Sequence, residues 1–140
     1  MQPPAPDPLL VVGIGCRSGC AALQLLELVE SGLHELGLET GAIRAVASID
    51  LKGEEPGLLA LAKQLQVPLI LLSAITLLPY EAQLTHRSAL AYARTGCHGV
   101  AESAALAAAS QLARAPARLL ITRRQSAHAT FALAGAVVEG

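Results

Sequence analysis

Tryptophan is absent, and one phenylalanine and two tyrosines are the whole aromatic content of the 140 residues. That scarcity removes the flat platforms on which single-stranded nucleic acid stacks. Charge is equally thin, since ten Lys and Arg against eleven Asp and Glu leave a net charge of -1. Such a balance gives no broad positive field to attract a phosphate backbone, and no nucleic-acid partner is expected. Long apolar runs are missing too: "VPLILL" at residues 67–72 falls far short of the roughly 20 residues that span a bilayer. No membrane partner is expected. The opening "MQPPAPDPLLVVGIGC" has no basic segment ahead of its brief apolar run, unlike a secretory leader, so a cytoplasmic location is the expectation. Three cysteines, an odd number, argue for reduced thiols over a disulfide framework.

Hydrophobic residues nonetheless make up 53% of the chain. The core must therefore come from Leu, Ala, Val and Ile, which suits helices packed on a buried sheet. The length is that of one domain. Residues 1–8, "MQPPAPDP", hold four prolines and read as an irregular tail, with residues 9–140 as the domain. "LLVVGIG" (9–15) is a β-rich run ended by glycine, as in a buried parallel strand. From Ser18 the spacing turns helical, with Leu25, Val29, Leu33 and Leu36 on one side, Ser18 as N-cap and Gly37 as stop. "AIRAVASID" (42–50) and "VPLILLS" (67–73) are two more strands, separated by a helix with Pro56 in its first turn. Residues 74–99 mix short helical pieces with turns. "VAESAALAAASQLA" (100–113) is an alanine-rich helix with Glu102 in its first turn. "ARLLITRRQSAHATFALAGAVV" (117–138) reads as a hairpin at the sheet edge. Strands alternating with helices predict an α/β fold, a three-layer α/β/α sandwich with a mostly parallel sheet and an antiparallel C-terminal edge strand.

Chemistry concentrates where strands end. "VVGIGCRSGC" (11–20) is either a glycine-fitted turn or a loop that cradles an anion, with Arg17 as a forked positive charge. It is not a dinucleotide fingerprint, because the third position after Gly15 is Ser18 and the next glycine is Gly19. No P-loop pattern is present either. Cys16 near a helix start is a candidate nucleophile, but a catalytic thiol also needs a base, and none of His34, His86, His98 or His128 announces itself as one. Cys16 and Cys20 could share one helix face, but a tetrahedral zinc site needs further ligands, for which Cys97 and His98 are the only paired candidates, and no metal or cofactor is expected. "ASIDLKGEE" (47–55) crowds Ser48, Asp50 and Lys52 at the end of a predicted parallel strand, the edge at which open α/β sheets bind ligands. Asp50 or Glu54 as a helix cap, with Lys52 solvated, is the plainer account. Gly96 and Gly99 precede the helix of Glu102, and Arg123 and Arg124 lie before Thr130 in the last hairpin.

Four stretches in order, "GIGCRSG", "ASIDLKGEEPGL", "GVAESAAL" and "ATFALA", resemble the C-terminal domain family of the cobalamin-biosynthesis proteins CobE and CbiG, over about Leu9 to Ala134. The residues that carry the likeness are Gly13, Gly15, Cys16 and Arg17, then Ala47 to Asp50 with Lys52 and Glu55, then Ser88, Gly96, Val100 to Leu106 and Thr130. The resemblance implies a part in building the corrin ring. The expected ligand is a precorrin or corrin intermediate, a flat apolar ring fringed with carboxylates, and the expected site comprises Gly13, Gly15, Cys16, Arg17, Ser18, Ser48, Asp50, Lys52, Gly96, Glu102 and Thr130. Binding or carrying such a ring is the first reading. The second is an enzyme acting on it, a lactone-opening hydrolase with Asp50 or Glu102 as acid or base. The third is a scaffold for other enzymes of the cobalamin pathway.

Overall fold

The computed structural model describes residues 8–138, so the tail expected at 1–8 lies, apart from Pro8, outside the described residues. The strands are β1 (Leu9–Cys16), β2 (Ile43–Ile49), β3 (Leu69–Leu72), β4 (Arg118–Gln125) and β5 (Ala129–Ala136). Between them run the helices α1 (Ala22–Glu35), α2 (Pro56–Leu65), α3 (Ala74–Leu77), α4 (Ala89–Thr95) and α5 (Val100–Ala113). The sheet order is β3-β2-β1-β5-β4. β1, β2 and β3 are parallel, whereas β5 opposes both β1 and β4. Only β5 therefore runs against the others, and the hairpin closes one edge of a mostly parallel sheet, as the pattern predicts.

The last strand is not itself the outermost, and composition explains the order. β5, "ATFALAGA", is buried at every position but one and takes the inside place against β1. β4, "RLLITRRQ", carries three arginines and stands at the edge, where charge blunts an unpaired strand.

Alternating residues of β1 feed two cores, one on each face. Leu10, Val12 and Ile14 pack with α1 and α2 through Leu25, Val29, Leu33, Leu58 and Leu61. Leu9 and Val11 pack on the other face with the alanines of α5 and with Leu77 of α3. Helices on both faces give the expected three layers. Phe131, the single phenylalanine, is fully buried in the α1 side of the core. Truncating such a ring costs about 3–5 kcal/mol.

Small side chains let α5 lie close to the sheet. A Cβ on Gly13 would collide with the Ala101 carbonyl and sit 2.9 Å from the Ala105 methyl. Gly13 thus serves helix–sheet packing, and that packing brings the first turn of α5 to the carboxyl end of β1. The hairpin turn at 126–128 reaches the same edge because Cys16 pairs with Ala129.

Candidate ligand cleft

The loop after β1 does not enter the helix at Ser18 as its sequence suggests. Cys20 N donates to the Arg17 carbonyl at 3.2 Å, closing a turn in which Gly19 adopts a left-handed φ of +82°. α1 then starts at Ala22 with Ala21 as an N-cap that makes no side-chain bond. Ser18 is left exposed on the turn beside Arg17. Arg17 N donates to the His128 carbonyl at 3.0 Å, fastening the loop to the hairpin turn. Gly15 lies under Thr130, whose hydroxyl donates to the Gly15 carbonyl at 3.3 Å.

The second loop meets the first, as two polar loops on one sheet edge should. Asp50, Leu51 and Lys52 form a short 3-10 turn after β2. The Gly19 amide donates to Glu55 Oε1 at 2.7 Å across the two loops. Pro56 stands at the start of α2 as expected. Neither Asp50 nor Glu54 caps α2, whose N-cap is Glu55. Ser48 is fully buried, with its hydroxyl donated to the Ile14 carbonyl at 2.6 Å, so it joins β2 to β1 and has no group free for a ligand.

α4, the first turn of α5 and the hairpin make the opposite wall. Ser88 caps α4 by accepting from Ala91 N at 3.1 Å. Gly96 ends that helix with φ +80° and does not reach the cleft, which corrects its place among the ligand residues. Glu102 is 1% exposed. Its carboxylate accepts from Thr85 N at 2.8 Å, the Thr85 hydroxyl at 2.5 Å and Arg123 N at 3.0 Å. The acid is therefore saturated with donors and ties the segment before α4 to β4.

Together these elements enclose a cleft of about 600 Å³. Of the residues singled out from sequence, Gly15, Cys16, Arg17, Ser18, Lys52, Glu102 and Thr130 line it. Gly13, Ser48, Asp50 and Gly96 do not. Gly13 and Ser48 are spent on packing and strand pairing, and Asp50 is exposed at the turn outside the cleft. Arg123 lines the wall, with a buried Nε that has no hydrogen-bond partner. Arg124 faces away and pairs with Glu35 at 2.6 Å, because successive strand side chains take opposite faces. Sequence reasoning missed Arg94 and Leu90 on α4 and weighed His98 only as a metal ligand or a base, yet all three line the cleft. The signal was there in "RSALAYARTG", a cap serine followed by a helix and a stopping glycine.

The cysteines are buried and free. Burial drives the Cys16 thiol far above its usual range, and the neighbouring Cys20 adds to the rise more than Lys52 opposes it. α1 itself begins only at Ala22, six residues on. The nucleophile expectation for Cys16 is thus corrected, since a protonated buried thiol attacks poorly. Among the described residues no three His, Cys, Asp or Glu side chains gather as a metal site, and no helix is long and apolar enough to cross a membrane.

A family model described as cobalamin synthesis G C-terminus matches residues 10–134. The chain belongs to that family. Within it, the chain is 42% identical over 126 residues to Protein CobE of a Sinorhizobium species, covering 90% of this chain and 79% of that one. A crystal structure of CobE, from the cobalamin (vitamin B12) biosynthetic pathway, matches with a TM-score of 0.91 at 43% identity, over 99% of this chain and 97% of that one. A cobalt-precorrin-5A hydrolase of Priestia megaterium is 31% identical over 98 residues, but the match spans 70% of this chain and only 26% of the hydrolase. Family membership sets the chain in cobalamin biosynthesis. The likeness to the hydrolase covers the shared domain and not that longer protein as a whole.

Proposed function

We propose that the protein binds a ring-contracted precorrin or corrin intermediate in this cleft and carries it within the pathway. The observation that carries the reading is the imbalance of charge on the cleft wall. Arg17, Lys52, Arg94 and Arg123 line it, while Glu102, the acid among the lining residues, is already saturated by donors. A chain of net charge -1 has thus gathered cations where a polycarboxylate would sit, and forked guanidinium groups suit carboxylates. The orphaned Nε of Arg123 is a buried donor in want of an acceptor. Leu51, Leu90, Val100 and Ala129 supply apolar lining, and the volume lies within the range of small-molecule sites. The cleft is open, which speaks against a scaffold that binds no pigment.

The test is to mix the purified protein with corrin-pathway intermediates, separate by gel filtration, and record absorbance and mass of any pigment that co-elutes. A stoichiometric pigment of unchanged mass is expected, with binding weakened in Arg17→Ala, Lys52→Ala and Arg94→Ala. A pigment of altered mass at catalytic protein levels favours an enzyme instead. Unchanged affinity in all three variants would overturn the site.

A further inference from the structure

α4 (Ala89–Thr95) is the part of the cleft wall that the fold holds least. None of its residues is buried. Among the described residues, the hydrogen bonds made by residues 89–95 all stay within residues 88–97. Ser88 Oγ accepts from Ala91 N, the Thr95 hydroxyl donates to the Ala91 carbonyl at 2.7 Å and accepts from Cys97 N at 3.1 Å, and Gly96 N donates to the Tyr92 carbonyl at 2.8 Å. The helix nevertheless stands on a firm neck. Ser88 N donates to the His98 carbonyl at 2.8 Å, so the chain enters and leaves α4 side by side. Beside that neck, Thr85 N donates to Glu102 Oε1 at 2.8 Å, His98 N donates to Glu81 Oε1 at 3.0 Å, and the buried Cys97 sulfur lies 3.1 Å from the Ser103 hydroxyl. The stacking of Tyr92 on the His98 ring also falls on the neck. A short helix fixed at its two ends, unburied between them and ended by a glycine in the left-handed region has the construction of a hinged flap.

The side that α4 turns to the cleft carries one apolar and one cationic group. Leu90, Ala91, Arg94 and Thr95 line the cleft, and Leu90 and Arg94, four residues apart, share one side of the helix. Leu90 is 53% exposed, and Leu51, which lines the opposite wall, is 64% exposed. Two leucines left facing water across a cleft are stabilised once an apolar surface lies between them. Arg94 is exposed and makes no ion pair among the described residues, so its guanidinium is available to a carboxylate. A flat apolar ring with an acidic fringe satisfies both groups at once. We propose that α4 is a flap that closes over the bound ring, with Leu90 packing on the ring opposite Leu51 and Arg94 taking one carboxylate of the fringe. The inference rests on the ring-binding reading above.

Nitroxide labels at Ala93→Cys, on α4, and Glu54→Cys, on the loop that carries Lys52, report the width of the cleft mouth. Both positions are exposed and neither lines the cleft, and the native cysteines are buried. The probe is hydrogenobyrinic acid, a metal-free corrin fringed with carboxylates, whose binding is followed by its absorbance. Its addition is expected to narrow the spread of label distances and to shorten their mean by about 2 Å or more, the scale of loop rearrangement on binding. Leu90→Ala, at an exposed position where alanine suits the helix, is expected to fold as the wild type does. It should bind the ring about tenfold more weakly, the worth of burying a leucine side chain, with the loss carried by faster dissociation. If the ring binds and the label distance does not change, or if Leu90→Ala binds and closes as the wild type does, this inference falls and the ring-binding reading stands. If the ring does not bind, both fall.

Discussion

The Gly19 amide donates to Glu55 Oε1 at 2.7 Å, joining two loops 36 residues apart in the chain. One loop carries Arg17 and the other Lys52, so this bond sets the spacing of two cations on the cleft wall. Glu55→Ala releases an exposed amide that water can satisfy, and the folding free energy is expected to drop by about 1 kcal/mol. Pigment affinity should fall about fivefold, the equivalent of ~1 kcal/mol, because the Arg17 turn loses its anchor. Chemical denaturation and a binding titration measure the two. Affinity equal to wild type would show that the loops are set by something other than this bond.

The glycines of β1 make separable predictions. A Cβ on Gly15 would approach the Thr130 hydroxyl at 2.7 Å, whereas one on Gly13 meets a backbone carbonyl that has nowhere to go. Gly15→Ala is expected to cost about 1–3 kcal/mol, and Thr130→Ala in the same chain should return at least 0.5 kcal/mol of it. Gly13→Ala should cost more, with no rescue from Thr130→Ala. Additivity at Gly15 and Thr130 in urea denaturation would refute the contact.

How much of this was legible in advance depended on the kind of signal. The helix of residues 100–113, the Pro56 start and the hairpin were readable because periodicity and proline or turn chemistry are local. The place of Ser18 was not, since Gly19 adopts a left-handed φ that nothing in "CRSGC" alone demands over a helical start. Ser48 read as a ligand residue because a serine at a strand end looks available. Its loss to the Ile14 carbonyl depends on the pairing of two strands 34 residues apart. Arg94 and His98 sat in a stretch whose short helices carry little periodicity, and only the fold brings them opposite Arg17.

Cys16 tests the electrostatics of the loop. A thiol raised by burial and by Cys20 holds less thiolate at pH 8 than the same thiol in an unfolded chain, and the thiolate is the reacting form. Iodoacetamide should label Cys16 in the native protein far more slowly than in urea, as read by peptide mass. Native labelling at the unfolded rate would restore the thiol as a candidate nucleophile.

Glu102 decides between a clamp and a catalytic acid. Its carboxylate takes three backbone amides, Thr85 N at 2.8 Å, Arg123 N at 3.0 Å and His86 N at 3.4 Å, as well as the Thr85 hydroxyl. It thereby holds the segment before α4 against β4 from the first turn of α5. Glu102→Ala leaves these donors without their acceptor and opens a hole, and a loss of about 2–4 kcal/mol is expected. Glu102→Gln is the more telling variant, because it keeps the shape but sets an NH2 group against an N–H donor on one side. A clamp predicts that Gln costs about 1–3 kcal/mol, and that pigment binding weakens as Arg123 and the α4 wall shift. A group that acts only by proton transfer predicts a Gln variant as stable as the wild type, with turnover lost and binding kept. Urea denaturation of the Gln variant separates the two, and wild-type stability there would return Glu102 to the candidate acids.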